Sequence, residues 1–238
     1  MNIDTGTPPL VLLAGHWLGD WAWDEVLAYL PATRAVALTL PGLDPDDPDR
    51  TSRTVLDQAD AIVDLLTDLD APAVLVAHSG ANAPVSIVLD RHPELVHRVV
   101  WVDSGPWNGT AFAAELPAQV TDLPLPSFEA LAQQASLDGL TPVVLERFRN
   151  RAVSEPAPVL RQGAALTNDA RHDVPTTLVC CSLPSTQVRE LAVTGHPMFA
   201  DVARLTRVES VDLPTGHWPM WSRPGDLAEV ILAAARQG

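Results

Sequence analysis

Lysine is absent from this chain, and 15 cationic side chains stand against 30 carboxylates, a formal net charge of −15. A field of that sign repels nucleic acid and anionic membranes, so neither is an expected partner. The acidic residues are dispersed apart from "DPDDPDR", Asp44 to Arg50, which reads as solvated surface rather than as a binding tail. Cysteine is scarce as well. Cys180 and Cys181 are adjacent within an apolar run, where a disulfide between neighbours would be strained, so both read as small buried fillers. Although 47% of the residues are apolar, no uninterrupted run approaches the roughly 18 residues that a transmembrane helix needs. The opening "MNIDTGTPPLVLLAGHW" lacks the basic start and small-residue cleavage site of a secretory leader, which makes a cytoplasmic location the default expectation. No His/Cys/Asp cluster has metal-ligand spacing, and no cofactor is expected. Internal repeats and linkers are missing too.

What remains is an alternation of short apolar runs and helical patterns, and 238 residues are expected to make a single domain, 1–238. "PLVLLAG" (Pro9 to Gly15), "RAVALTL" (Arg34 to Leu40), "AVLVAH" (Ala73 to His78), "RVVWVD" (Arg98 to Asp103), "TTLVCCS" (Thr176 to Ser182) and "RVESVDL" (Arg207 to Leu213) read as strands. Such continuous runs suit a parallel sheet of about six strands, buried on both faces and crossed by helices: an α/β fold. Helices are expected at Trp21 to Tyr29, Thr54 to Asp68, Ala81 to Arg91, Thr186 to Leu205 and Gly225 to Arg236. Between the fourth and fifth strand runs, residues 104–174 mix helical pieces with proline-rich segments. That is too long for a loop, and it reads as a helical cap over the C-terminal ends of the strands, where open α/β sheets bind ligands.

Three segments at those strand ends carry chemistry. "LVAHSGANAPV" places Ser79 directly after the third strand run and at the start of a helix, the context of a nucleophile elbow. The pattern G-x-S-x-G is kept only in size, since Ala77 and Ala81 occupy its outer positions, and an N-cap serine is the plain alternative. Gly80 would give the first oxyanion-binding N–H. In "LLAGHWLGDWAWDEV" a glycine-bearing loop follows the first strand, and the backbone N–H of His16, more than its imidazole, would give the second; a plain βα loop is the alternative. In "LPTGHWPMWSRP" His217 follows the last strand, where it would take the serine proton and return it to a leaving group. Taken alone, His217 would read as a surface residue; the order serine first, histidine last supports the base.

Together these segments resemble an α/β-hydrolase, within it the small group that contains plant methylesterases and hydroxynitrile lyases. In that group a segment of the form HGAWHGAWCW opens the domain and one like DHMPMLSKP carries the histidine; "AGHWLGDWAW" and "GHWPMWSRP" stand in the matching places. The likeness extends over essentially the whole chain and implies the α/β-hydrolase fold with Ser79 and His217 as catalytic pair. Two departures stand out. The group usually places its triad acid after the strand read here as "TTLVCCS", where "LPSTQV" offers no carboxylate, and its hydroxynitrile lyases use a lysine that this chain cannot supply. Asp103, ending the preceding strand in "WVDSGPW", is the substitute acid, some α/β-hydrolases carrying theirs at that strand; the alternative is an aspartate capping its own turn. Asp212 lies within a strand and is expected to face away. Trp17, Trp101, Trp107, Trp218 and Trp221 crowd the same segments. Trp17, Trp107 and Trp218 are the expected substrate contacts, with ordinary core filling the alternative for at least half of the five.

The expected activity is cofactor-independent serine hydrolysis of a small or medium carboxylic ester, the partner being a small-molecule substrate. Epoxide hydrolase and haloalkane dehalogenase chemistry would need a carboxylate at position 79. A lyase or cyclase on the same scaffold, or a receptor-like protein without turnover, are the rival readings. A homodimer is compatible with the sequence.

Overall fold

The computed structural model describes residues 7–237, so the first six residues of the opening segment, and the last residue of the expected 1–238 domain, lie outside the described ones. Six strands form one sheet: β1 (Leu10–Leu13), β2 (Ala35–Leu38), β3 (Ala73–His78), β4 (Val96–Val102), β7 (Thr176–Cys180) and β8 (Val208–Asp212). Every pairing is parallel, in the order β2-β1-β3-β4-β7-β8. The chain leaves β1 toward β2 on one side and returns to β3 on the other. Such a reversal of winding opens a crevice at the C-terminal edge between the two strands.

Alternate side chains of the central strands enter opposite cores, as the two-residue period requires. Leu10, Leu12, Val74, Val76, Val100 and Val102 share one apolar cluster with α9 (Pro224–Ala235), while Val11, Leu13, Leu75, Val99 and Trp101 join the other with α2 (Val55–Thr67) and α3 (Asn82–Arg91). Burial on both faces holds for β1, β3 and β7 and nearly all of β4, but β2 and β8 are half-exposed. Those two are edge strands, each paired on one side only among the described residues.

The strand expectations hold to within two or three residues, and the helices over 54–68, 81–91 and 225–236 are present as α2, α3 and α9. At Trp21 to Tyr29 the helix is shorter, a 3₁₀ turn over Asp20–Trp23 followed by α1 (Asp24–Leu27). The expected helix from Thr186 to Leu205 is a single helix only as far as α7 (Ser185–Val193), after which two 3₁₀ turns follow. Gly195, at φ +75°, takes the left-handed position that ends it; its N–H bonds to the Ala192 carbonyl and that of His196 to Leu191, and Pro197 forbids resumption. One more short helix, α8 (Pro219–Ser222), follows His217.

Between β4 and β7 the chain forms short helices α4 (Phe128–Leu131), α5 (Pro142–Arg151) and α6 (Ala157–Arg161), together with a two-stranded antiparallel ladder of β5 (Asp122–Leu123) and β6 (Glu155–Pro156) that the sequence did not suggest. Guanidinium groups lace this segment to itself and to the sheet layer. Arg149 donates to the carbonyls of Leu125 and Pro126, Arg161 to those of Pro117 and Val120, and Arg50 to Ser154 and the Asp122 carboxylate. Among the described residues no helix is long and apolar enough to cross a membrane.

Candidate active site

Ser79 leaves β3 in the left-handed region at φ +51°, a conformation that a non-glycine residue keeps only when its surroundings impose it. The space it needs comes from small neighbours. A Cβ on Gly15 would stand 2.7 Å from the Ser79 Cβ and 3.0 Å from the Gly80 nitrogen, so only glycine lets the β1 loop approach. Ala77 and Ala81 are completely buried and make the tight turn that the outer glycines of the elbow pattern would otherwise make. The loop after β1 thus lies against Ser79 and Gly80, with the His16 ring packed on Gly80. No backbone hydrogen bond among the described residues uses the His16 N–H.

His217 comes from the loop after β8 and reaches both partners. Its Nε2 lies 2.8 Å from the Ser79 hydroxyl and its Nδ1 2.7 Å from Asp103 Oδ2. The carboxylate fixes the tautomer, since Nδ1–H must donate to it and Nε2 is left to accept the serine proton. Asp103, itself left-handed at φ +44°, does not cap its own turn. Its Oδ1 accepts the N–H groups of Cys181 and Ser182, and its Oδ2 accepts the Ser182 hydroxyl at 2.6 Å as well as the imidazole. Burial alone would push this carboxyl up, but the hydrogen bond and charge of His217, with the Ser182 donors, outweigh it and hold Asp103 at about 2. Where the sequence lacks an acid after β7, Ser182 therefore supports the acid from β4. Asp212 faces away, accepting the N–H and hydroxyl of Ser185 at the start of α7.

A third histidine, singled out by nothing in its sequence pattern, ties the site together. His78 is fully buried at the end of β3; its Nε2–H donates to the His217 carbonyl at 2.8 Å, and its Nδ1 accepts the Gly15 N–H at 3.4 Å. Both ring nitrogens are used in the neutral form, and burial together with the nearby His217 pushes its pKa down to about 3. The His217 loop is held from the other side as well: Gly216 and His217 donate their N–H groups to Asp138 and Ser136. A Cβ at Gly216 would stand 2.5 Å from the Asp138 carbonyl oxygen.

Ser79, Gly80, His16 and His217 border a cavity of about 730 Å³ between the strand ends and the segment inserted after β4. Its walls are largely apolar, with Trp17, Trp107, Phe112, Leu131, Val159 and Phe199 among them. Among the described residues no arginine lines it. Of the five tryptophans, Trp17, Trp107 and Trp218 border the cavity, Trp218 standing edge-on to the His217 ring at 4.9 Å. Trp101 is core, and Trp221 is buried with its ring stacked on Trp21. Cys180 and Cys181 are buried free thiols whose pKa values desolvation pushes up, Cys180 to about 11.

Comparison with known proteins adds a family to this geometry. The model of the alpha/beta hydrolase family matches residues 10–230. A putative chloroplastic methylesterase of Arabidopsis thaliana is 32% identical over 100 residues, a stretch covering 39% of this chain and only 28% of that relative's length. Among solved structures, an extracellular alpha/beta-hydrolase from a Paenibacillus species superposes with a TM-score of 0.71 at 18% identity, covering 97% of this chain and 100% of the other. A pyrethroid hydrolase from Sphingobium faniae gives 0.67 at 20% identity over 96% and 97% of the two chains, and a methylesterase from Arabidopsis 0.67 at 15% over 95% and 98%. At those identities the solved structures speak for the fold alone. The family match runs from the first strand of the sheet past the last and takes in Ser79, Asp103 and His217, and on that span the chain belongs to the alpha/beta hydrolase family.

Proposed function

We propose that this chain is a cofactor-independent serine hydrolase that cleaves a small or medium, electrically neutral carboxylic ester through an acyl-enzyme. The hydrogen-bonded chain from Ser79 through His217 to Asp103, at 2.8 and 2.7 Å, carries the reading. Ser79 Oγ attacks the ester carbonyl carbon as its proton passes to His217 Nε2, and the carbonyl π electrons move onto oxygen. The N–H groups of His16 and Gly80 receive that oxyanion. Collapse of the tetrahedral adduct expels the alkoxide, which takes the proton from His217 and leaves as alcohol. Water then attacks the acyl-Ser79 carbonyl with His217 again as base, releasing the acid and restoring the serine. Asp103 keeps the imidazole in the required tautomer and stabilises the imidazolium that forms in each half-reaction.

The substrate class follows from the walls. Apolar surface dominates, arginine is missing from the lining among the described residues and lysine from the chain, so a substrate carboxylate would meet no permanent counter-charge. Labelling with a fluorophosphonate and turnover of a nitrophenyl ester series test the reading together. Ser79→Ala should lose both, turnover falling on the order of 10⁴-fold or more, while its melting temperature stays close to the parent's. A folded Ser79→Ala protein that kept most of its esterase activity would refute the serine mechanism.

A further inference from the structure

A carboxylate that the triad does not use is buried on the oxyanion side of Ser79. Glu155 lies on β6, in the segment inserted after β4, and its side chain is 1% exposed. Burying a carboxylate is costly unless it is paired and hydrogen-bonded, so its partners reveal what it holds. Its Oε2 accepts from His16 Nδ1 at 3.1 Å and from the Trp17 backbone N–H at 3.2 Å. The His16 imidazole is its side-chain partner. In the HGAWHGAWCW form the third position is alanine, whereas here it is His16, so this pair belongs to this chain's own sequence.

Trp17 is tethered further by the same segment. Its indole N–H donates to the Leu123 carbonyl at 3.1 Å, and its own carbonyl accepts the Val153 N–H at 3.0 Å. It sits in the left-handed region at φ +66°, a conformation that needs such external restraint in a bulky residue. On the opposite side the His16 ring rests against Gly80, where an added Cβ would stand 2.4 Å from His16 Nε2. The loop that carries the His16 N–H is therefore clamped between the elbow and β6.

We propose that Glu155 is a positioning residue of the oxyanion site: by gripping His16 and Trp17 it sets the His16 N–H beside that of Gly80 and makes the assembly of that site depend on the seating of the β5–β6 ladder. This rests on the hydrolase reading above. Displacing one donor by a fraction of its reach weakens binding of the transition state more than that of the substrate.

Glu155→Ala should lower kcat about 10- to 100-fold with KM changed by less than about threefold, short of the loss from deleting an oxyanion donor. Glu155→Gln should recover most of kcat, since its amide oxygen still accepts from Trp17 N–H. Glu155→Asp, which keeps the charge but shortens the reach, should fall with Glu155→Ala, and it replaces that variant should alanine unfold the protein. Near-normal kcat in the shortened variants, a rise in KM alone, or equal losses for Gln and Asp would overturn the proposal. Amide hydrogen exchange gives an arm that needs no turnover: residues 15–18 should exchange faster in Glu155→Asp than in the parent protein, and unchanged exchange there would overturn it too. Absence of Ser79-dependent esterase activity in the parent protein would instead remove the hydrolase reading, and the exchange result would still decide whether Glu155 holds the loop.

Discussion

At the scale of single residues, two side chains separate chemistry from architecture. Asp103 receives four hydrogen bonds, one from His217 and three from Cys181 and Ser182. Asp103→Asn keeps the shape but loses the charge and one acceptor, so kcat should drop by about 10²- to 10⁴-fold with KM little changed. Near-normal kcat in the folded variant would remove Asp103 from the relay. His78 makes a different demand. Its folded pKa of about 3 lies below the ordinary 6.5, so the unfolded chain binds a proton that the folded protein refuses. The stability tied to this group is therefore whole above 6.5 and is lost progressively as pH falls from there toward 3. Urea midpoints measured over that range should decline less steeply for His78→Asn than for the parent protein, even though the variant starts lower for want of the His217 and Gly15 bonds. Parallel slopes would exonerate His78.

Helices and loops divide the work differently. The α2 helix opens with Thr54 accepting the Asp57 N–H while the Asp57 carboxylate accepts the Thr54 N–H at 2.7 Å, a reciprocal cap far from the cavity. Thr54→Ala should cost about 1 kcal/mol, seen as a melting temperature lower by roughly 2–4 °C, with kcat unaltered. A comparable loss of kcat would mean that α2 transmits strain to the elbow. The loops after β1, β3, β4 and β8 carry the groups proposed to react, and each is restrained by something outside itself: Gly15 by His78, Ser79 by the glycines around it, Asp103 by the residues after β7, His217 by residues 136–138.

Over the whole molecule, charge and cavity point the same way. A net charge of −15 surrounds a cavity with no arginine in its lining among the described residues. An ester bearing a second, ionised carboxylate should be cleaved with kcat/KM lower by about tenfold or more than its neutral isostere at low salt, and added salt should narrow the gap. Equal values for the two esters would show that some unassigned group neutralises the substrate charge.

Much of this was legible in the chain itself. The central strands could be read because burial on both faces leaves continuous apolar runs, and the order serine, aspartate, histidine at strand ends pointed to one edge of one sheet. Local signals faltered where the outcome depended on context. A helical pattern over Thr186 to Leu205 does not weigh one left-handed Gly195, and the runs of β2 and β8 do not say that these strands lie at the edges. Nothing local marks His78, Ser182 or Glu155, whose partners lie 139, 79 and 138 residues away. The sequence by itself determined the sheet strands and the main helices, the chemical groups at their ends and the side of the sheet on which they gather, because periodicity and turn chemistry act over a few residues. Only the tertiary structure decided which carboxylate meets His217, which tryptophans face the cavity and what holds the loop after β1. Those choices follow from β4 lying beside β7 and from the β5–β6 ladder closing over the β1 loop, and neighbourhood of that kind is set by the packing of the whole chain.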